Sequence, residues 1–220
     1  MVYEKKTNMK NKVLIVAVHP DDETLGCGGT LLKHKANGDE IHWLICTTID
    51  KSHSYYETRE KEIEEVAKLY NFNSVHNLRL KTMQVDEYSM SELVGKISKV
   101  INEIQPTTIY LPFKGDVHRK IFEASYSCTK SFIKKIYMIE TLSETEFAPS
   151  TKEDSFIPNV FVNISEYFEK KIEIMKVFES EISEHPFPRS ERNLRALATL
   201  RGATCGCEYA ESFILLKEIL

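Results

Sequence analysis

The chain has 220 residues, of which 42% are hydrophobic and 28% charged, and its formal net charge is −4. This length fits a single domain over residues 1–220 with a sizeable core, and five unevenly spaced cysteines favour a reduced, cytoplasmic protein. The mild charge, with Lys and Arg spread along the chain, argues against nucleic acid as a partner, and no apolar run reaches the ~20 residues of a membrane span.

Short apolar runs alternate with stretches of helical periodicity over the first two thirds of the chain. The predicted elements are, in chain order, strand Lys12–Val18, helix Thr24–Lys35, strand Ile41–Thr48, helix Tyr56–Tyr70, strand Ser74–Leu78, helix Met90–Ile104, strand Thr107–Leu111, helix Arg119–Phe132, strand Lys135–Glu140, strand Asn159–Ile164, helix Glu166–Ile182, helix Glu191–Arg201 and strand Ala210–Leu216. This order indicates an α/β fold with a mostly parallel sheet and helices on both faces.

Two polar clusters directly follow predicted strands of this sheet. Residues His19–Glu23 come after the first strand, and Gly115–His118 follow Thr107–Leu111. Ligands of open α/β sheets bind just beyond the carboxyl ends of the strands. The two clusters are therefore the first candidates for a functional site.

The His-Pro-Asp-Asp-Glu sequence at residues 19–23 offers the donors that zinc accepts. Catalytic zinc sites use three protein ligands and leave one position for water. A tight turn would aim His19 and Asp22 at one ion, with Pro20 fixing the backbone between them, while Asp21 on the other side could take a proton from water. From these residues alone, a turn with solvated carboxylates is as well supported as a metal site.

The segment Ala17–Gly29, AVHPDDETLGCGG, resembles the opening motif of the PIG-L/LmbE-like de-N-acetylase family. The resemblance covers nearly the whole chain, with further matches at Arg59-Glu60, Tyr110–Asp116, Glu140–Phe147, His185–Ser190, Leu200–Gly202 and Tyr209–Phe213. It implies a Rossmann-like sheet, a bound zinc ion, and removal of the acetyl group from an N-acetylated amino sugar or glycoconjugate. By position it implies His19 and Asp22 as zinc ligands and Asp21 as the general base.

The chain departs from the family pattern where the third zinc ligand is expected. The family has a stretch resembling Asp-x-His-x-Asp-His, but residues 115–120 read GDVHRK, with one histidine. Aligned from the left, His118 is the assisting histidine and Ile121 stands at the ligand position. Aligned from the following helix, His118 is the ligand and the loop is shorter. The second alignment is preferred because a metal site tolerates loss of a helper better than loss of a ligand.

The second alignment leaves the assisting histidine without a replacement. His185 is a candidate for that role, although a histidine beside two prolines is better explained as a loop residue. The alternative function is therefore a catalytically weak or inactive sugar-binding relative. The sequence is also compatible with a homo-oligomer without specifying one.

Two arginines are expected to bind substrate. The resemblance places Arg59 near substrate hydroxyls or phosphate, and an ion pair with Glu62 on the same helix is equally supported. Arg189 could bind sugar or phosphate oxygens with its planar guanidinium, or pair with neighbouring glutamates. Glu144 and Glu146 are expected either to line the pocket or to be exposed loop carboxylates.

Overall fold

The computed structural model describes residues 10–116, 118–147, 151 and 155–220. The strands are β1 (Lys12–Ala17), β2 (Glu40–Thr48), β3 (Ser74–Lys81), β4 (Thr108–Leu111), β5 (Lys135–Ile139), β6 (Val160–Asn163) and β7 (Ala210–Glu218). The α-helices are α1 (Asp22–Ala36), α2 (Tyr56–Tyr70), α3 (Met90–Ile104), α4 (Arg119–Ser127), α5 (Phe168–Met175) and α6 (Glu191–Cys205), and a short 3₁₀ helix spans Thr82–Glu87.

The strands form one seven-stranded sheet in the order β3-β2-β1-β4-β5-β7-β6. The five strands from β3 to β5 are parallel, and β7 runs antiparallel to both β5 and β6. The predicted mostly parallel α/β fold is confirmed. The chain leaves β1 toward β2 on one side and returns to its other side at β4, so the carboxyl ends of β1 and β4 open a crevice for a ligand.

Strand β1 lies at the centre of two core layers. Val13 and Ile15 pack with apolar side chains of α1, α2, α5 and α6, whereas Leu14 and Val16 pack with those of α3 and α4. Such a strand reads as a continuous apolar run because both of its faces are buried. The prediction of helices on both faces is therefore confirmed.

Two predicted helices are longer than the helices in the structure. The prediction Arg119–Phe132 becomes α4, which ends at Ser127, and the prediction Glu166–Ile182 becomes α5, which ends at Met175. After each helix the chain continues in turns closed by i to i+3 hydrogen bonds. Apolar side chains such as Phe178 still reach the core from these turns, which is why the apolar pattern outlasts the helix.

The prediction of no membrane span can be compared with the helices directly. In the part of the chain that the structure describes, no helix combines the length and apolar character that crossing a bilayer requires.

Candidate active site

A cavity of about 380 Å³ opens at the carboxyl ends of β1, β2, β4 and β5. Six residues that the sequence predicts for the site line this cavity: His19, Asp21, Asp22, Arg59, His118 and Arg189. A volume of this order suits a small ligand.

The turn that leaves β1 is fixed by its own hydrogen bonds. The amide of His19 donates to Oδ2 of Asp22 at 2.8 Å. The carbonyl oxygen of Asp21 accepts the amides of Thr24 and Leu25, both at 2.9 Å, and so starts α1. Asp21 and Asp22 are almost fully buried. The turn therefore presents an imidazole and two carboxylates to the cavity from a backbone with little freedom.

Three side chains from three different loops meet at the floor of the cavity. The potential ligand atoms of His19, His118 and Glu144 all lie within 4.8 Å of one another. Nδ1 of His19 is 3.1 Å from Oε1 of Glu144 and 4.0 Å from Oδ2 of Asp22. Nε2 of His118 is 3.9 Å from the same Glu144 oxygen. Two imidazoles beside carboxylates are a donor set that fits a divalent metal ion.

The structure brings His118, and not Ile121, to His19. The two histidine rings meet edge to face with their centroids 4.7 Å apart. Ile121 is fully buried in the core layer of α3 and α4. Burial and the neighbouring His19 lower the pKa of His118, which favours the neutral imidazole that binds metals.

Carboxyl groups crowd the cavity and the buried start of α1 behind it, and their burial shifts their pKa values. Burial, with Asp22 adjacent, raises the pKa of Asp21 well above its usual range, and burial together with Glu144 does the same for Asp22. Burial raises the pKa of Glu23 to about 8. Burial opposes a charge on His19, but the hydrogen bond to Glu144 and the surrounding carboxylates raise its pKa to about 9. A cluster of this kind favours a bound cation.

Arg59 is buried and its donors are occupied by protein groups. Nη1 donates to the carbonyl oxygen of Pro20 at 3.0 Å, and Nη2 donates to Ser180 and Glu181. Nε lies 3.3 Å from Oε2 of Glu62, so the ion pair offered by the sequence is present, although in the interior. The guanidinium of Arg59 therefore holds the backbone of Pro20, the residue between His19 and Asp21.

Arg189 reaches the cavity from the loop before α6. Its Nη1 donates to Oγ of Ser143 at 2.6 Å, and its Nη2 donates to Oε2 of Glu181 at 2.7 Å. Its Nε donates to the carbonyl oxygen of Glu181 at 2.8 Å and lies 3.9 Å from Oδ2 of Asp21. About a fifth of the side chain is exposed. Arg189 therefore combines contact with the candidate general base and access to the cavity.

Comparison with known families decides what kind of protein carries this cavity. Residues 14–128 match the family model described as "PIG-L: GlcNAc-PI de-N-acetylase", which covers more than half of the chain. The chain belongs to the PIG-L family. This match confirms the sequence-based prediction of a hydrolytic N-deacetylase and of its family.

Individual relatives of this PIG-L member agree in fold. Diacetylchitobiose deacetylase from Thermococcus kodakarensis is 27% identical over 223 residues, 93% of this chain and 82% of that protein. The structure of N,N'-diacetylchitobiose deacetylase from Pyrococcus horikoshii superposes with a TM-score of 0.76 at 22% identity, covering 94% of this chain and 84% of that one. GalB, a 4-carboxy-2-hydroxymuconate hydratase from Pseudomonas putida, reaches 0.74 at 15% identity, covering 96% and 98%. A hydratase therefore shares the fold, and the fold by itself does not specify the reaction.

The sequence does not single out two carboxylates that line the cavity, Glu144 and Glu181. Glu144 is buried beside His19, whereas Glu146 is exposed and accepts the amide of Ser143. Glu144 could have been favoured, because it follows β5, the neighbour of β4 in the sheet. Glu181 lines the cavity from a loop that carries no motif. His185 is exposed and is not among the described residues that line the cavity.

Proposed function

We propose that this chain removes the N-acetyl group from an N-acetylated amino sugar or a conjugate of one, with a zinc ion held by His19, Asp22 and His118. The observation that supports this proposal is the convergence of His19, His118 and Glu144 within 4.8 Å at the floor of a cavity that Asp21 and Asp22 also line, with Oδ2 of Asp22 4.0 Å from Nδ1 of His19. The names of relatives that act on diacetylchitobiose support the sugar class.

The donor set matches zinc better than a hard cation, because two imidazole nitrogens stand beside carboxylate oxygens. When bound, zinc would supply Lewis acidity at this end of the cavity. Glu144 would orient the imidazole of His19 through their 3.1 Å contact, as carboxylates commonly do for metal-binding histidines. Asp22 would hold both the amide of His19, through Oδ2, and the ion.

Asp21 is the residue proposed to move the proton. As a water oxygen adds to the acetyl carbonyl carbon, Asp21 accepts a proton from that water. The C–N bond then breaks, acetate leaves, and the proton passes to the amine nitrogen of the sugar. General-base assistance of this kind contributes ~10²–10⁴ in rate. Burial and the adjacent Asp22 raise the pKa of Asp21, and the guanidinium of Arg189, 3.9 Å away, opposes this rise and so acts toward the ionised form that the step needs.

A second candidate is favoured by one specific observation, the single histidine in the loop before α4. A site without the assisting group would bind the same sugar and metal but turn over slowly, since loss of one donor to a developing oxyanion costs ~10²–10³ in rate. This relative would be a sugar-binding protein with residual activity.

The test is acetate release by the zinc-loaded protein from N-acetylglucosamine, N,N'-diacetylchitobiose and α- and β-linked N-acetylglucosaminides. Zinc content is measured in the same preparations, and Asp21→Ala serves as the matched variant. We expect release from at least one compound, with Asp21→Ala retaining zinc and losing turnover. Stoichiometric zinc and sugar binding without acetate release would favour the second candidate.

A further inference from the structure

Helix α1 begins inside the active-site turn and is interrupted shortly afterwards. Cys27 has φ −147° and ψ 21°, which is not a helical conformation. The interruption separates the first turn of the helix, which carries Asp22, from the segment that continues to Ala36. In an uninterrupted helix the amide of residue 29 would donate to the carbonyl of residue 25, and the amide of residue 30 to that of residue 26. The interruption raises the question of which groups take over these bonds.

A buried lysine and a buried glutamate take over the hydrogen bonds at the interruption. Nζ of Lys171, in α5, donates to the carbonyl oxygen of Leu25 at 2.9 Å. The carboxylate of Glu211, in β7, accepts the amide of Gly29 through Oε1 at 2.9 Å and that of Thr30 through Oε2 at 2.7 Å. The two side chains also pair with each other at 2.8 Å. The ion pair therefore ends the first helical segment and begins the second.

The packing around the interruption leaves room for this pair and little else. A Cβ at position 28 would lie 2.5 Å from the hydroxyl oxygen of Tyr70 and 3.2 Å from Cγ of Lys171. Glycine at this position lets the lysine stem pass directly beside the helix. A buried ion pair is a weak source of net stability, because both charges lose their hydration. Its close fit to the interruption therefore suggests that it controls geometry.

We propose that Lys171 and Glu211 are positioning residues of the active site. By holding the interruption in α1, they fix the direction of the first helical turn and with it the carboxylates of Asp21 and Asp22. Among the described residues, neither is found in the lining of the cavity, whereas Leu25, whose carbonyl oxygen Lys171 holds, does line it. The inference rests on the proposed function, since it assigns Asp22 to the metal ion and Asp21 to proton transfer.

The test variant is Glu211→Gln, which keeps the size of the side chain and removes its charge. Zinc affinity is measured on metal-free protein by competition with a chromophoric chelator, and kcat and KM are measured on the loaded enzyme. We expect zinc affinity to fall about tenfold or more and kcat to fall similarly, with KM changed less than about twofold. Hydrogen exchange should increase in the peptide covering residues 20–31.

A second variant guards against loss of folding. The double substitution Lys171→Met and Glu211→Met replaces the pair with apolar side chains, which often restores stability, but it leaves the amides of residues 29 and 30 without their acceptor. The same loss of zinc affinity is expected. Leu93→Ala, in the opposite core layer, is the control for a general loss of stability and should bind zinc as the wild type does.

Wild-type zinc affinity in either folded variant would overturn the positioning role, and so would an equal loss in Leu93→Ala. A wild-type protein that binds zinc but releases no acetate would refute the proposed function alone, because the affinity comparison still decides the positioning role. A wild-type protein that binds no zinc would refute both.

Discussion

The two histidines of the site stand on loops that are built differently. His19 lies in a turn held from several sides: its amide donates to Asp22, the carbonyl of Asp21 accepts the first amides of α1, and Arg59 donates to the carbonyl of the intervening proline. His118 is the residue before α4, and its side chain makes no capping hydrogen bond to the described part of the helix.

Among the described residues of the loop before α4, Asp116 makes hydrogen bonds to Phe113 and to the start of the helix. Oδ2 of Asp116 accepts the amide of Phe113 at 3.2 Å, and its carbonyl oxygen accepts the amide of Arg119 at 3.2 Å. Burial, with the charge of Glu144, raises the pKa of Asp116 to about 8. The comparison indicates that hydrogen bonds to its backbone fix the turn after β1, whereas the described part of the loop before α4 contributes the imidazole of His118 to the cavity.

The largest effect should therefore come from His118→Ala. The substitution removes one of the two nitrogen donors, and we expect zinc affinity to fall more than ~100-fold, beyond the range for residues that only support a ligand, with acetate release lost. Ile121→Val, in the helix that follows His118, is the control. It should cost about 0.5–1.5 kcal/mol of stability and leave zinc binding unchanged.

This pair of variants also decides between the two alignments of the shortened loop. Normal zinc affinity in His118→Ala would show that the histidine is not a ligand, and the comparison between the two loops would fail. Competition with a chelator measures both variants on the same scale.

Asp21→Asn tests the turn after β1, in which backbone hydrogen bonds hold the residues in place. Because the bonds that start α1 use the carbonyl oxygen of Asp21, the substitution leaves them intact. We expect kcat to fall ~10²–10⁴-fold with zinc content unchanged. A loss of zinc together with activity would instead place Asp21 among the ligands.

Some of this arrangement could be read from the sequence because the signals are local. The amphipathic spacing of α3, its capping box between Ser89 and Glu92, and Pro106 beyond its end predict its bounds as the structure has them. The turn at residues 19–23 could be placed at a strand end for the same reason, since β1 is an uninterrupted apolar run.

The remaining features depend on contacts between distant parts of the chain. The helix predicted over Thr24–Lys35 is interrupted at Cys27. The amide of Thr30 there donates to Glu211, which lies 181 residues further along the chain. The pairing of Glu181 with Arg59 spans 122 residues and no local pattern marks it. Local periodicity cannot predict such contacts, because they arise when the sheet brings its strand ends together.

Glu144→Gln distinguishes a supporting carboxylate from a ligand. If Glu144 orients the imidazole of His19 across 3.1 Å, the substitution should lower zinc affinity 10- to 100-fold, as is typical of groups that support metal ligands. Asp22→Asn is the matched variant and should lower it further. Equal losses, or the reverse order, would place Glu144 among the ligands. Isothermal titration of metal-free protein measures both.

We expect substitutions of Arg189 and Arg59 to change different quantities, the KM for the sugar and the unfolding temperature. Arg189→Lys keeps a charge but loses the planar guanidinium, and we expect KM for the sugar to rise about tenfold, the value of one charge-assisted hydrogen bond. Arg59→Lys should lower the unfolding temperature with KM nearly unchanged, because Arg59 braces Pro20 from a buried position. A rise in KM for Arg59→Lys would show that it contacts substrate.

The smallest effect concerns Glu181, which joins the two arginines that brace the turn after β1. Burial opposes its charge, but Arg59 and Arg189 lower its pKa below the usual 4.5. A carboxylate with a lowered pKa in the folded state adds stability above the unfolded pKa, and that stability is lost as the pH falls through the folded pKa. The unfolding temperature should therefore drop less steeply below pH 4.5 in Glu181→Gln than in the wild type. Parallel curves would mean that Arg59 and Arg189 do not stabilise the charge of Glu181 in the folded state.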